Sequence, residues 1–288
     1  MEHCDILIIG DGAAGIAAAK AAREAGCESI LLVDRKNRMG GVLLQCAHHG
    51  FGQNLSGPEY TEKMLKGFPE TINWIPNTTV RSISADKKAI LSGPEIGQAE
   101  IAFKQLILAA GCREIPIGAL PIAGTRPKGV YTAGQMQEML NLHGVIPEGP
   151  VVILGGGDLG LVMAKQLAEI GLAVTLVEQR LQCGGMARNQ HCLRELPIGL
   201  LCGTTISEVF GEKQLEGVTT TEGRFLPCRT LLIAAGLRPE RELIFGLGSP
   251  DWLHLCGNCS AVHPMVEGVV NEGRQVGIAA WEKIRGSL

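Results

Sequence analysis

Apolar and polar positions alternate in blocks along this chain, and the blocks repeat. Residues 5 to 10, DILIIG, form a continuous apolar run that predicts a buried strand. Small residues follow in IAAAKAAREAG, a helical stretch that ends at Gly26. SILLVDR, residues 29 to 35, predicts the next strand, with Asp34 and Arg35 at its end. The order returns between residues 151 and 180: VVIL, then LVMAKQLAEIG, then AVTLVEQR, with Glu178 in the acidic place. Two more apolar runs, KQLILAAGCREIP (104–116) and RTLLIAAGLRPE (229–240), share one form of strand, Ala-Ala-Gly, basic residue and proline. Each follows one strand–helix–strand block and reads as the return strand of its domain. The chain closes on WLHL, a Gly-Asn turn and a long helix expected to start near His263. The pattern predicts an α/β chain with two Rossmann-like domains.

Glycines mark the turns of both blocks. The first carries Gly10, Gly12 and Gly15 in G-x-G-x-x-G spacing, with Ala13 and Ala14 between them. The second carries Gly155, Gly157 and Gly160, with Asp158 and Leu159 between. The first glycine permits a tight turn, the second lets backbone approach a pyrophosphate, and the third lets the helix lie close on the strand. The helix N-terminus offers free N–H groups and a positive dipole end to phosphate. Asp34 and Glu178 are placed to accept hydrogen bonds from a ribose diol, with Gln179 and Arg180 just beyond Glu178. A lone fingerprint is weak evidence. Two, each with strands, helix and acid in place, predict two dinucleotide sites.

Composition narrows the picture. The chain has 288 residues, enough for one large domain or two modest ones, and 45% of them are hydrophobic. Its 39 glycines fit an enzyme with many tight turns. A formal charge of -3 gives no basic patch for nucleic acid or an anionic membrane. No run of about 18 apolar residues predicts a membrane span. The first strand starts at Cys4, which leaves no room for a signal peptide. Ten scattered cysteines fit thiols in a reducing cytoplasm better than a disulfide scaffold.

The order of these motifs resembles the FAD-dependent pyridine nucleotide-disulfide oxidoreductase superfamily, over almost the whole chain and at the size of its thioredoxin reductase group. The resemblance implies FAD on the first fingerprint and NADH on the second, with NADPH left open by Arg180. It implies a FAD-binding domain over 1–115 and 242–288 and an inserted NAD(P)H-binding domain over 116–241. Gly40, Gly41 and Val42 match the GG turn along the flavin, and Val80 the residue whose backbone meets adenine. Ala110 and Gly111 match an A-T-G motif with alanine in place of threonine, and Gly236 holds the corresponding place in the second return strand. Gly257 and Asn258 match a terminal G-D motif with asparagine in place of aspartate. Pro264, Met265 and Val266 open a helix aimed at the flavin.

The stretch GGVLLQCAHHGFG, residues 40 to 52, poses its own question. Cys46, His48 and His49 leave a metal site, half of a redox disulfide or the wall of a cofactor pocket as readings. A metal needs a fourth ligand; in an extended segment Cys46 and His48 share one side and His49 points away. The superfamily's disulfides use C-x4-C after this turn or C-x-x-C near the second domain, and neither is present. Cys256-Gly-Asn-Cys259 is a C-x-x-C overlapping the terminal motif. The stretch and GVYTAGQMQEMLN (129–141) together resemble a branch of flavoprotein subunits found beside glycerol-3-phosphate, opine, proline and amine dehydrogenases. That resemblance places Cys46 and His48 at the flavin edge as candidate catalytic residues, with no metal.

The activity expected is hydride transfer from NADH to FAD and on to a dehydrogenase or iron–sulfur partner subunit, in a chain that can also self-associate. A self-contained NADH oxidase or quinone reductase is the alternative. A disulfide reductase working through Cys256 and Cys259 and a non-catalytic module binding FAD alone are further readings.

Overall fold

The computed structural model describes residues 3–286. They form two compact units, Met1–Arg113 with Arg238–Leu288, and Glu114–Leu237.

The first unit opens with β1 (His3–Ile9), α1 (Ala13–Glu24) and β2 (Ile30–Val33). After α2 (Gly57–Leu65) come β3 (Asn73–Ile75), β4 (Thr79–Ile83), β5 (Lys88–Gly93) and β6 (Gly97–Leu108). The strands lie in the order β3-β2-β1-β6-β5-β4. β1, β2 and β3 are parallel, and β1 also runs parallel to the C-terminal half of β6. The N-terminal half of β6 turns back antiparallel on β5. The strand period of two sends Ile6, Ile8 and Ile30 to one face and Leu7, Leu31 and Val33 to the other. Both faces are covered, which is why these strands are continuously apolar. Helix α2 starts on a capping box: Ser56 accepts from the Glu59 N–H while Glu59 reaches back to the Ser56 N–H.

The second unit is built on β7 (Val130–Thr132), α3 (Ala133–His143), β8 (Val151–Leu154), α4 (Asp158–Glu169), β9 (Val174–Glu178), β10 (Ile198–Cys202) and β11 (Thr230–Ile233). Its strands form an all-parallel sheet, β7-β11-β8-β9-β10. Val151 and Ile153 face the α3 and α4 side, whereas Val152 and Leu154 face a core shared with a small four-stranded sheet. The strand and helix of residues 130–143 were not resolved as separate elements by the apolar pattern, because Tyr131 and Thr132 interrupt it.

The chain then re-enters the first unit as β12 (Leu253–Leu255), parallel to β6, and α5 (Val266–Arg285). The helix starts three residues later than the sequence suggested, with an extended Met265 as its N-cap. α5 lies directly on α1. An added Cβ at Gly273 would sit 2.4 Å from the Ala14 carbonyl oxygen, and one at Gly277 would sit 2.2 Å from that of Ala18. Small residues on both helices permit this approach. No helix is long and apolar enough to cross a membrane among the described residues.

Asp11 is the polar exception in the first unit's core. It is fully buried between Gly10 and Gly12. Its Oδ2 accepts the indole N–H of Trp74 on β3 at 3.0 Å, and its Oδ1 has no hydrogen-bond partner. Burial, and then the Asp34 carboxylate beside it, push the Asp11 carboxyl up to about 8.

Two outcomes follow from this packing. Gly277→Val is expected to cost about 1–3 kcal/mol by overpacking, read as a lower melting temperature. Gly286→Ala, whose methyl would meet only the Glu282 carbonyl oxygen at 3.5 Å, should leave it unchanged. The second concerns Asp11. As pH rises from about 4 to about 8 the unfolded chain gives up this proton while the folded chain keeps it, so stability falls across that window. Asp11→Asn should flatten the decline of melting temperature between pH 5 and 8; parallel curves for variant and wild type would contradict the assignment.

Candidate functional site

Each unit carries one strand–turn–helix cradle, and the two are superposable in their contacts. Gly10 (φ 102°) and Gly155 (φ 111°) are in the left-handed region. A Cβ at Gly10 would lie 2.4 Å from the Ala109 carbonyl oxygen, and one at Gly155 would lie 2.3 Å from that of Ala234. At Gly15 and Gly160 a Cβ would lie 1.8 and 1.9 Å from the carbonyl oxygens of Gly10 and Gly155. Gly12 and Gly157 differ from these. They are the N-caps of α1 and α4, no side chain caps either helix, and the space before their Cα atoms is open to 4 Å. Backbone N–H groups therefore face open space at a positive helix end, with Ala13 and Ala14 in the first turn of α1.

An acid clasps each cradle. Asp34 accepts the Asp11 N–H at 3.0 Å through Oδ2 and the Lys36 N–H at 2.7 Å through Oδ1. Glu178 accepts the Gly156 N–H at 2.6 Å through Oε2 and the Arg180 N–H at 2.8 Å through Oε1. Each oxygen keeps a second lone pair for a hydroxyl donor. Arg35, Gln179 and Arg180 are exposed beyond the acids. The backbone N–H of Thr78 donates to the Asp34 carbonyl oxygen at 2.8 Å, which holds the start of β4, with buried Val80, beside the first clasp.

Loop 40–52 opens on the GG turn expected from the sequence and is extended only over His49–Phe51. Gly40 (φ 128°) and Gly41 (φ 55°) turn the chain into a 3-10 turn over Gly41–Gln45. The Gly40 N–H donates to the Asp11 carbonyl oxygen at 3.0 Å, and a Cβ on Gly41 would be 3.0 Å from Gly12 Cα. The GG turn thus lies directly against the first cradle, with Val42 exposed. Cys46 is turned inward: its thiol donates to the Val42 carbonyl oxygen at 3.3 Å, and it packs under Gly57 at the start of α2. Burial pushes this thiol up to about 12. His48 is half-buried with its ring 5.2 Å from that of Phe51, while His49 is exposed 4.0 Å from Glu59. Among the described residues no three His, Cys, Asp or Glu side chains converge as a metal site.

The terminal turn adds two residues that the sequence did not single out. Gly257 (φ 68°) opens a 3-10 turn over Gly257–Cys259. Glu272 of α5 accepts the Gly257 N–H at 2.7 Å and meets His263 Nε2 at 2.7 Å. Asn258 uses its side-chain oxygen on the His263 N–H at 3.0 Å and its amide N–H on Cys112 Sγ at 3.7 Å. Pro264 and Met265 are exposed, and Val266 packs toward Phe51. Cys256 and Cys259 are both fully buried, yet they join different hydrophobic clusters on opposite faces of the sheet. Burial raises both thiols, Cys259 to about 11.

In the return strands, Gly111 (φ 75°) follows exposed Ala110 and accepts the Glu240 N–H at 3.0 Å. Gly236 (φ 118°) accepts the Ile115 N–H at 3.1 Å. The Asp158 side chain is committed to the protein itself. Its Oδ1 accepts the Met186 N–H at 2.7 Å and the Asn189 side chain at 2.6 Å, so it anchors the loop after β9, while Leu159 packs into the core. Nothing in the fingerprint spacing signals that loop.

Open glycine faces, uncapped helix ends and acid clasps together fit a diphosphate-bridged nucleotide on each cradle. Comparison with known proteins agrees. Residues 4–250 match the pyridine nucleotide-disulphide oxidoreductase family. The hydrogen cyanide synthase subunit HcnB of Pseudomonas protegens is 30% identical over 84% of this chain and 58% of its own length. An opine oxidase subunit of Agrobacterium tumefaciens is 28% identical over 84% of this chain and 54% of its own. The chain therefore spans under three-fifths of the length of these relatives. Among solved structures, the thioredoxin reductase of T. acidophilum superposes with a TM-score of 0.80 at 18% identity, covering 99% of this chain and 100% of that one. The L-proline dehydrogenase of P. horikoshii gives 0.75 at 17%, covering 98% and 56%; at such identities the likeness is one of fold. With two cradles of this build and a family match over residues 4–250, the chain belongs to the pyridine nucleotide-disulphide oxidoreductase family.

Proposed function

We propose that the chain takes a hydride from NADH onto FAD and delivers the electrons to a partner subunit or a small acceptor, without a redox disulfide of its own. FAD is assigned to the cradle of Gly12, Ala13, Ala14 and Asp34, and NADH to that of Gly157 and Glu178. The cofactors supply the hydride chemistry when bound; the protein binds, orients and shields them. Helix α1 sets its N–H groups against the FAD diphosphate, and Asp34 takes the ribose hydroxyls. The GG turn at Gly40 and Gly41 and the Gly257 turn extend the same surface. Uncapped α5 brings a second positive helix end to this unit.

The observation that carries the absence of a disulfide step is the placement of the thiols. Cys46 is buried with its thiol donating to the Val42 carbonyl oxygen, the Cys259 thiol donates to the Leu108 carbonyl oxygen at 3.0 Å, and Cys256 packs in a different hydrophobic cluster. The choice of NADH rests on Glu178. Its fixed negative charge accepts a ribose diol and repels a 2′-phosphate. A partner is favoured because the relatives are subunits of multi-component enzymes and exceed this chain in length. A self-contained oxidase or quinone reductase is the second outcome of the acceptor survey described next.

Anaerobic titration of the yellow protein, first treated with dithiothreitol and desalted so that its thiols are reduced, should consume two electrons per flavin and stop; four would reveal a second redox centre, with Cys256→Ser, Cys259→Ser and Cys202→Ser the variants to identify it. The same preparation, offered oxygen, quinones and the proteins encoded beside it in the native host, should turn over fastest with a protein acceptor. In rapid mixing, NADH should reduce the flavin faster than NADPH. Removing the charge in Glu178→Ala should shrink that preference by about 10- to 100-fold, the worth of a hydrogen bond to a charged group. A wild type that prefers NADPH would assign the choice to Arg180.

A further inference from the structure

The loop that follows β9 contains a thiol that neither cradle uses. Residues 181–190 fold back across the second fingerprint. The N–H groups of Gly184 and Gly185 donate to the Gly156 carbonyl oxygen at 3.0 and 3.2 Å. Asp158 holds Met186 and Asn189, and the Gln190 side chain closes the loop on the Gly185 carbonyl oxygen at 2.6 Å. This brings Cys183 to the cradle itself: its Sγ would be 2.8 Å from a Cβ on Gly156, and Glu178 Oε2 would be 3.0 Å from the same point. Cys202 arrives from the other side. It ends β10 in register with Glu178, one strand over. Both cysteines thus flank the Glu178 side chain, Cys183 from the loop and Cys202 from the neighbouring strand, and both are reduced in this structure.

We propose that Cys183 and Cys202 form a disulfide that fastens loop 181–190 over the second fingerprint and hinders nucleotide entry there. The oxidant is hydrogen peroxide, a product that reduced flavins make from dioxygen. Cys202 sulfur attacks one peroxide oxygen, the O–O bond breaks, and Cys202 sulfenic acid and one water result. Cys183 sulfur then displaces the sulfenic hydroxyl as a second water. In sum two thiols lose two electrons and two protons, and one peroxide becomes two waters. Burial, with Cys202 and Glu178 adding to it, pushes the Cys183 thiol up to about 11, so Cys183 is written as the thiol that resolves the sulfenic acid. The third thiol of this region, Cys192, is engaged elsewhere: it donates to the Asn189 carbonyl oxygen at 3.1 Å and packs on α4. Thiol reductants reverse the bond by exchange. The effect on entry rests on the assignment of NADH to this cradle; the bond itself does not.

Trypsin separates the three cysteines, because Arg180, Arg188, Arg194 and Lys213 put Cys183, Cys192 and Cys202 on different peptides. The full-length holoprotein is treated with hydrogen peroxide, its free thiols are blocked, and the peptides are mapped without reductant. A cross-link of 181–188 to 195–213 is expected, absent in Cys202→Ser and removed by dithiothreitol. The oxidised wild type should need several-fold more NADH for half-maximal flavin reduction, and Cys202→Ser should not change on oxidation. No such cross-link, or a cross-link to 189–194 instead, overturns the inference. So does the cross-link with an unaltered NADH requirement. If NADH fails to reduce the flavin in either redox state while the cross-link forms, the assignment of NADH to this cradle fails, and with it the claim about entry.

Discussion

A carbonyl oxygen occupies the place where a side chain would begin. At Gly15 and again at Gly160 the oxygen of the first fingerprint glycine sits under 2 Å from any added Cβ. That contact brings α1 onto β1 and α4 onto β8, and it aims each helix N-terminus over the end of its strand. The open N-cap glycines, the acid clasps and the GG turn against Gly12 all depend on this approach. It also explains the composition: glycine and alanine are frequent because backbone packs on backbone, as it does again where α5 crosses α1 at Gly273 and Gly277.

The two cradles reach the same clasp by different routes. In the second, a glutamate reaches the N–H of Gly156, and a glycine is required there because Glu178 and Cys183 crowd the position. In the first, a shorter aspartate reaches the N–H of Asp11, and the freed space takes a buried carboxyl held by Trp74. The first cradle therefore stores a proton that the second lacks. The second has an overlying loop and a thiol pair that the first lacks. A duplicated device has acquired separate sensitivities, one to pH and one to oxidation.

The strands, the helices after each fingerprint and the acids were legible in the sequence because burial on both sheet faces and the glycine spacing leave unmistakable patterns. The start of α5 was misjudged because a proline opens many helices, whereas here Pro264 lies before an extended N-cap, Met265. In loop 40–52 the GG turn was legible, whereas the 3-10 turn over Gly41–Gln45 that turns Cys46 inward was not, because no local pattern marks it. The loop that the Asp158 side chain anchors was not legible, because its contacts span 28 and 31 residues, beyond local pattern. Glu272 and His263 were invisible for the same reason: their link to Gly257 closes only when α5 docks on α1.

The central claim is that the two cradles hold different nucleotides independently, and equilibrium binding to two valine variants tests it most directly. Gly12 and Gly157 have ordinary backbone angles, and an added Cβ meets only Gly41 Cα, in ordinary contact at 4.0 Å, at the first and nothing within 4 Å at the second, so a larger side chain there stands chiefly in the nucleotide's approach. Gly12→Val is expected to fold normally by circular dichroism, lose FAD and keep NADH binding. Gly157→Val is expected to keep FAD and lose NADH. Loss of both nucleotides in either folded variant, or retention of NADH in Gly157→Val, would contradict the account.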